Sequence, residues 1–275
     1  MMFPEYLSSD RPCDQWEEFP SDKGLTIVSH GQRMYGYALL PGGRIGETHP
    51  CVLMLHGLPG YTTNHDIAQA LRRAGCVVLN PFYRGAWGSE GHFTLSGVVE
   101  DAIAAADWAQ TEEARVNYGI DADKVFLLGI SMGGWAALNA LSRQPKTKGA
   151  IAIAPADVAY LLEEKEDFLR NAFHKYGCLR LEAPNTLPED ARRCKDTLSL
   201  SCLTPRLKDK PLLLIGGTRD TVIPPDAVLT PFWQALQQQN STANQQYLLL
   251  DANHSFANCR IALIRQIGRW LAQHP

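Results

Sequence analysis

The chain of 275 residues carries 26 Lys and Arg against 29 Asp and Glu, a formal charge of −3, with 45% hydrophobic and 20% charged residues. That balance supplies no large positive field to hold a polyanion, so nucleic acid is not an expected partner, and the proportions exclude a disordered or collagen-like class. No run reaches the ~18 apolar residues that a membrane helix needs, and residues 1–14 carry Glu5, Asp10 and Asp14 without a basic cluster, so neither a membrane span nor a secretory leader is expected and a cytoplasmic location is the default.

The length suits one large domain, residues 1–275, with an insertion. Short β-type runs separated by longer helical patterns predict a mostly parallel sheet flanked by helices. In chain order, residues 25–29 and 33–39, divided by Gly31-Gln32, predict an antiparallel hairpin. Apolar runs at 51–55 and 76–80 follow, joined by a helical pattern over 65–74. A helix over 98–113 would place Val99, Ile103 and Ala106 on one face. Strand patterns at 124–128 and 150–154 enclose a helix at 132–142 rich in Gly and Ala, small enough to sit close against a sheet. Strands at 211–215 and 246–250 bring the expected total to about eight, with helices at 227–238, after Pro224-Pro225, and at 261–271.

The rhythm breaks over residues 155–204, where a simple crossover would need far fewer residues. Helical patterns at 161–176 and 187–194 suggest a small cap or lid inserted over the carboxyl end of the sheet, the alternative being an enlarged crossover. The acidic cluster Glu163, Glu164, Glu166 and Asp167 within it has the look of a solvated helix face. Seven scattered cysteines without C-x-x-C or zinc-ligand spacing imply no metal site. Cys51 and Cys76 suit buried thiols, and Cys178, Cys194 and Cys202 would pair only in an oxidising compartment.

Three motifs carry chemistry. Gly129-Ile130-Ser131-Met132-Gly133 lies between a strand and a helix, the context of a nucleophile elbow in which Ser131 is exposed on a sharp turn and small neighbours leave it room. His56-Gly57-Leu58-Pro59-Gly60 follows a strand, and the backbone N–H groups of Leu58 and Met132 are the expected oxyanion donors, fixed before charge develops. His56, at the base of that loop, reads as structural. Asp220 and His254 each follow a strand run, where open α/β sheets place their sites. His254 would take the serine proton while Asp220 holds the imidazole; Asp251, three residues from His254, competes for the acid role. No cofactor is required.

With these residues in place the chain resembles the α/β-hydrolase superfamily, and more narrowly its esterase-like and prolyl-oligopeptidase-like members, over residues 52–154 and 211–271. The resemblance implies an eight-stranded α/β-hydrolase sheet with a variable helical insertion, the same oxyanion donors, and a substrate-shaping role for residues 155–204. It likens the stretch from Arg84 to Gly91 to an R-G-x-G-x-S motif, although Trp87 adds one residue and Tyr83 stands where an acid is common, so Arg84 reads as structural.

The expected activity is hydrolysis of a small carboxylic ester through an acyl-enzyme, because about 50 residues precede Cys51 and the propeller of the peptidase relatives has no counterpart there. A small peptidase or amidase is the second reading, and a non-catalytic binding protein the third. Tyr61 and Trp87, together with Phe168 and Phe173 from the insertion, are the expected apolar lining of the substrate pocket.

Overall fold

The computed structural model describes residues 2–14, 16–239 and 244–274. Eight strands form one sheet: β1 (Ser21–Ser29), β2 (Gln32–Leu40), β3 (His49–Leu55), β4 (Val77–Pro81), β5 (Ile120–Ile130), β6 (Gly149–Ile153), β7 (Leu212–Gly217) and β8 (Gln245–Leu250). Their spatial order is β1-β2-β4-β3-β5-β6-β7-β8. The β1–β2 hairpin is antiparallel, β2 joins β4 antiparallel, and every pairing from β4 to β8 is parallel.

This order reverses at β3. The chain leaves β3 for β4 on one side, and then returns past it to β5 on the other. The connections leaving β3 and β5 at their carboxyl ends therefore run toward opposite edges of the sheet, and this switch point is the position where open α/β sheets bind ligands.

β4, β6 and β7 are buried along their whole lengths, which is why they read as unbroken apolar runs. Along β3, Cys51, Leu53 and Leu55 face one core while Val52 and Met54 face the other, the two-residue period of a strand covered on both sides. Fully burying such a leucine or valine contributes about 1.5–3 kcal/mol, so both helical layers are needed to hold the sheet. The Val52 side packs with residues of α1 (His65–Arg73) and of the closing helix at Arg260–Ala272.

The opposite face is covered by α2 (Leu95–Trp108) and α4 (Met132–Leu141), between which lies α3 (Glu112–Tyr118). The single helix expected over 98–113 is thus two. Thr94 caps α2 by accepting a hydrogen bond from Gly97 N at 3.0 Å, and Thr111 starts α3 by accepting one from Ala114 N at 3.2 Å. A threonine at an N-cap satisfies a donor that a continuous helix would have bonded internally, so the second cap ends the first helix.

The segment 155–204 contains α5 (Val158–Glu164), α6 (Glu166–Lys175) and α7 (Thr186–Leu198), followed by a 3-10 turn at Leu200–Leu203; α8 (Thr204–Leu207) and α9 (Leu229–Gln237) come next, and Arg260–Ala272 is α10. The expected helix over 161–176 breaks at Lys165, with φ −137° and ψ 27°. The break moves Glu166 and Asp167 to the start of α6, where the helix dipole favours negative charge; within one helix they would have lengthened an acidic run. α7 is anchored to the main body. Asp190 accepts from Ser96 N at 2.7 Å and Ser96 Oγ at 2.9 Å at the start of α2, and Leu198 O accepts from Trp135 Nε1 at 2.7 Å and Asn139 Nδ2 at 3.0 Å on α4. All seven cysteines are free thiols.

Candidate active site

Ser131 joins β5 to α4 with φ 57° and ψ −121°, a conformation that L residues rarely adopt. The flanking glycines make it accessible. A Cβ at Gly129 would overlap the carbonyl of Gly133, and one at Gly133 would overlap the carbonyl of Leu55, so the turn, the helix start and the end of β3 meet backbone to backbone. Two hydrogen bonds brace the turn against the end of β6: Ser131 N donates to Ile153 O at 2.9 Å and Ala156 N to Ser131 O at 3.0 Å. Met132, the first residue of α4, is buried beneath it.

The loop after β3 lies against this elbow. A Cβ added at Gly57 would stand 3.4 Å from Ser131 Cβ and 4.0 Å from Ser131 Oγ, so Leu58 follows within one residue of the serine side chain.

Asp220 and His254 come from the loops after β7 and β8. The Asp220 side chain is fully buried, which would be costly for an unpaired carboxylate, yet each oxygen is satisfied. Oδ1 accepts from the backbone N–H groups of Val222 and Ile223, both at 2.9 Å, and Oδ2 accepts from His254 Nδ1–H at 2.7 Å. Placing the proton on Nδ1 leaves Nε2 as an acceptor. Asp251 is engaged elsewhere: its exposed carboxylate takes Arg219 Nη2–H at 2.8 Å, and that hydrogen-bonded guanidinium holds it below the usual carboxylate range. His254 is held through Nδ1 by Asp220, and among the described residues no hydrogen bond joins its Nε2 to Ser131 Oγ.

Aromatic side chains stand around the loop after β3. Tyr61, 62% exposed, meets Trp87 edge-on at 5.6 Å and Tyr176 at 6.1 Å, and Tyr176 meets Phe168 at 6.5 Å. Trp87 has a left-handed φ of 52°. Its indole donates to Pro59 O at 2.9 Å and its backbone N–H to Cys178 O at 2.9 Å. The pairing continues where Arg180 N donates to Gly85 O at 2.7 Å and Phe93 N to Arg180 O at 2.9 Å, so the stretch after α6 is stitched to the loop after β4. Phe173 stands apart: it is exposed, and the aromatic side chain it meets is its neighbour His174. Tyr176 takes the place in the cluster that was expected of Phe173, and its signal in the sequence was only an aromatic at the end of a helical pattern. Tyr160 on α5 has its phenol pKa raised by burial first and then by the nearby charges of Glu164 and Asp220.

Arg84 lies outside this cluster, with Nε bonded to the buried Asp101 at 2.5 Å and Nη2 to Glu100 at 2.6 Å, a structural ion pair. Among the described residues no group of His, Cys, Asp and Glu could hold a metal ion, and no helix is long and apolar enough to cross a membrane.

The model of the prolyl oligopeptidase family matches residues 63–275. An uncharacterised protein of Rickettsia prowazekii is 34% identical over an alignment of 113 residues, the match covering 38% of this chain and 45% of that protein, so the chain spans less than half of that relative. Among solved structures, an esterase of Pyrococcus furiosus superimposes with a TM-score of 0.67 at 19% identity, covering 100% of this chain and 98% of the esterase. A puromycin-hydrolyzing peptidase of Mycobacterium tuberculosis gives 0.68 at 23% identity over 96% of this chain and 40% of its own. Dipeptidyl peptidase 4 of Porphyromonas gingivalis gives 0.67 at 21% identity over 94% and 36%. At these identities the likeness is one of fold, that of the α/β-hydrolase superfamily.

Proposed function

The chain belongs to the prolyl oligopeptidase family, and from that premise we propose that it is a serine hydrolase cleaving small carboxylic esters through an acyl-enzyme on Ser131. The observation that carries this reading is the Asp220–His254 pair, in which a buried carboxylate with both oxygens bonded fixes an imidazole at the same end of the sheet as the Ser131 elbow.

In the first half-reaction His254 Nε2 takes the Ser131 proton as Oγ attacks the ester carbonyl, and Asp220 stabilises the imidazolium. The carbonyl oxygen becomes an oxyanion, which the N–H groups of Leu58 and Met132 receive. The bond to the alcohol oxygen then breaks, and the imidazolium protonates the departing alkoxide. In the second, water loses a proton to His254 and attacks the acyl carbon, releasing the acid and returning the proton to Ser131.

The exposed Tyr61 and Trp87, with Tyr176 and Phe168 packed in line with them, offer an apolar surface that favours an apolar acyl group. A peptidase that gripped a free amino terminus would need an unpaired carboxylate; Glu163, Glu164 and Asp167 are exposed, and Glu166 is held by Arg170 and Arg192. The second reading, a short amide or peptide, draws on the family match and on the fold shared with the peptidases. The segment 155–204 serves in both readings as a cap on one cytoplasmic domain. A fluorophosphonate probe followed by a panel of acyl esters and aminoacyl amides tests the proposal. Probe labelling with faster ester than amide turnover is expected; faster amide turnover transfers the assignment to the second reading, and a folded protein that neither labels nor turns over any substrate rejects both.

A further inference from the structure

Beneath the loop that follows β3, two buried polar atoms have no hydrogen-bond partner among the described residues: His56 Nε2 and the side-chain nitrogen of Asn80. His56 is 5% exposed and Asn80 4%. Both line one small cavity of about 10 Å³ whose other walls include Met54, Thr63, Leu128 and Ile130. That is room for a single water, and two unsatisfied polar groups facing it make the site polar enough to hold one.

The two atoms are complementary. His56 Nδ1 lies 2.8 Å from Gly57 O, so Nδ1 carries the proton and donates, which leaves Nε2 an acceptor; the Asn80 amide is a donor. Thr63 Oγ1 already accepts from Tyr37 Oη at 2.9 Å and retains its own O–H to give.

We propose that one water bound in this cavity, donating to His56 Nε2 and accepting from the Asn80 amide, makes His56 the positioning residue of the oxyanion loop. The proposal rests on the hydrolase reading for its consequence in turnover. The imidazole is otherwise clamped on every side. Its ring lies 4.4 Å from that of Tyr83, whose hydroxyl donates to His56 O at 3.2 Å. Gly60, at φ 92°, closes the loop directly over the imidazole, where a Cβ would overlap Nδ1. Asn80 belongs to β4 and is paired in register with Tyr37 of β2, so its end of the link is fixed to the sheet. Through Nδ1 the ring holds the Gly57 carbonyl, the peptide that leads into Leu58 N–H. Rotation of the ring would therefore move the donor against the elbow. Burial lowers the imidazole pKa to about 4, so the neutral ring that accepts from water is the form present near pH 7.

Two measurements on the unmodified chain read the link without turnover. Nitrogen chemical shifts should show His56 protonated at Nδ1, and a high-resolution crystal structure should show one water within hydrogen-bond distance of both His56 and Asn80; the opposite tautomer or a dry cavity would overturn the proposal. Asn80→Leu removes the donor and fills the space. Its expected effect is a fall of about tenfold in kcat with KM within about twofold, since a displaced oxyanion donor costs the transition state and not ground-state binding. Asn80→Ser, which keeps a hydroxyl and admits water, should recover kcat to within about threefold. Unchanged kcat in Asn80→Leu, or a loss confined to KM, would reject the positioning role. A wild-type chain that hydrolyses nothing would reject the functional reading alone, because the tautomer and the water are read independently of it.

Discussion

The indole N–H of Trp87 donates to the carbonyl of Pro59 at 2.9 Å, tying the loop after β4 to the loop that carries Leu58. Trp87→Phe keeps an aromatic ring against Tyr61 and removes this bond. One such hydrogen bond contributes about 0.5–1.5 kcal/mol to the fold, so Tm should fall by a few degrees at most, and a donor loop loosened by as much would lower kcat/KM by about 2- to 10-fold. Ester kinetics beside a thermal melt check this. Unchanged kinetics would mean that the tie is incidental to the oxyanion loop.

Ser131→Ala should abolish fluorophosphonate labelling and lower ester turnover by at least ~10³-fold, with residual activity from oxyanion stabilisation alone. Labelling of the folded variant at the wild-type rate would remove Ser131 from the mechanism.

The two aspartates near His254 differ in what they touch, and so should their variants. Asp220→Asn leaves the contact to His254 but loses the charge that favours the imidazolium and the Nδ1–H tautomer, and a fall of ~10⁴-fold in acylation is expected. Asp251→Asn loosens an exposed pair with Arg219 and a long contact from Thr218, and acylation should stay within about twofold. Stopped-flow acylation of the two proteins decides between them, and a larger loss in Asp251→Asn would redraw the triad.

The eight strands were legible because buried parallel strands leave unbroken apolar runs, as at Val77–Pro81 and Leu212–Gly217. The elbow was legible because two glycines at fixed spacing have one good steric reason, the meeting of Gly133 with the Leu55 carbonyl. Helix breaks inside the polar segments were not. Thr111 as an N-cap and Lys165 as a break depend on where each chain end must go, and the local pattern continues through both. Nor could the sequence distinguish Phe173 from Tyr176, which are three residues apart. Which of them reaches Tyr61 depends on the residues after α6 pairing with Gly85 and Phe93, a contact between distant segments.

Stability should fall in acid through His56. Its folded pKa, lowered to about 4 by burial, lies below the ordinary histidine value of about 6.5. Above pH ~6.5 the ring is neutral in both states and the group exerts no pH effect; between about 6.5 and 4 the unfolded chain takes up a proton that the folded chain refuses, so stability declines as pH falls. The full loss is about 3 kcal/mol and is complete below pH ~4. His49, whose pKa is also lowered chiefly by burial, acts in the same direction. Urea denaturation of His56→Gln should show a flatter dependence over this window than the parent; equal slopes would show that His56 does not bear it.

Acyl-chain preference should follow the aromatic cluster and not the insertion as a whole. Phe168 reaches Tyr176, which reaches Tyr61 in the loop after β3, whereas Phe173 is exposed on α6. Each methylene that an acyl group buries against such a wall is worth about 0.8 kcal/mol, so two added carbons should raise kcat/KM about tenfold until the space is filled. Phe168→Ala removes part of the wall and should shift the optimum among acetyl, butyryl, hexanoyl and phenylacyl esters, with fluorophosphonate labelling nearly unchanged. Phe173→Ala should leave the ranking as it is. The anchored half of the insertion provides a third comparison, because Leu198 O holds Trp135 and Asn139 on the nucleophile helix. Asn139→Leu there should lower Tm and change every ester in parallel. If Phe168→Ala also changed every ester in parallel, the residues around α6 would be a structural crossover, and the acyl group would have to be sought against Tyr61 and Trp87 alone.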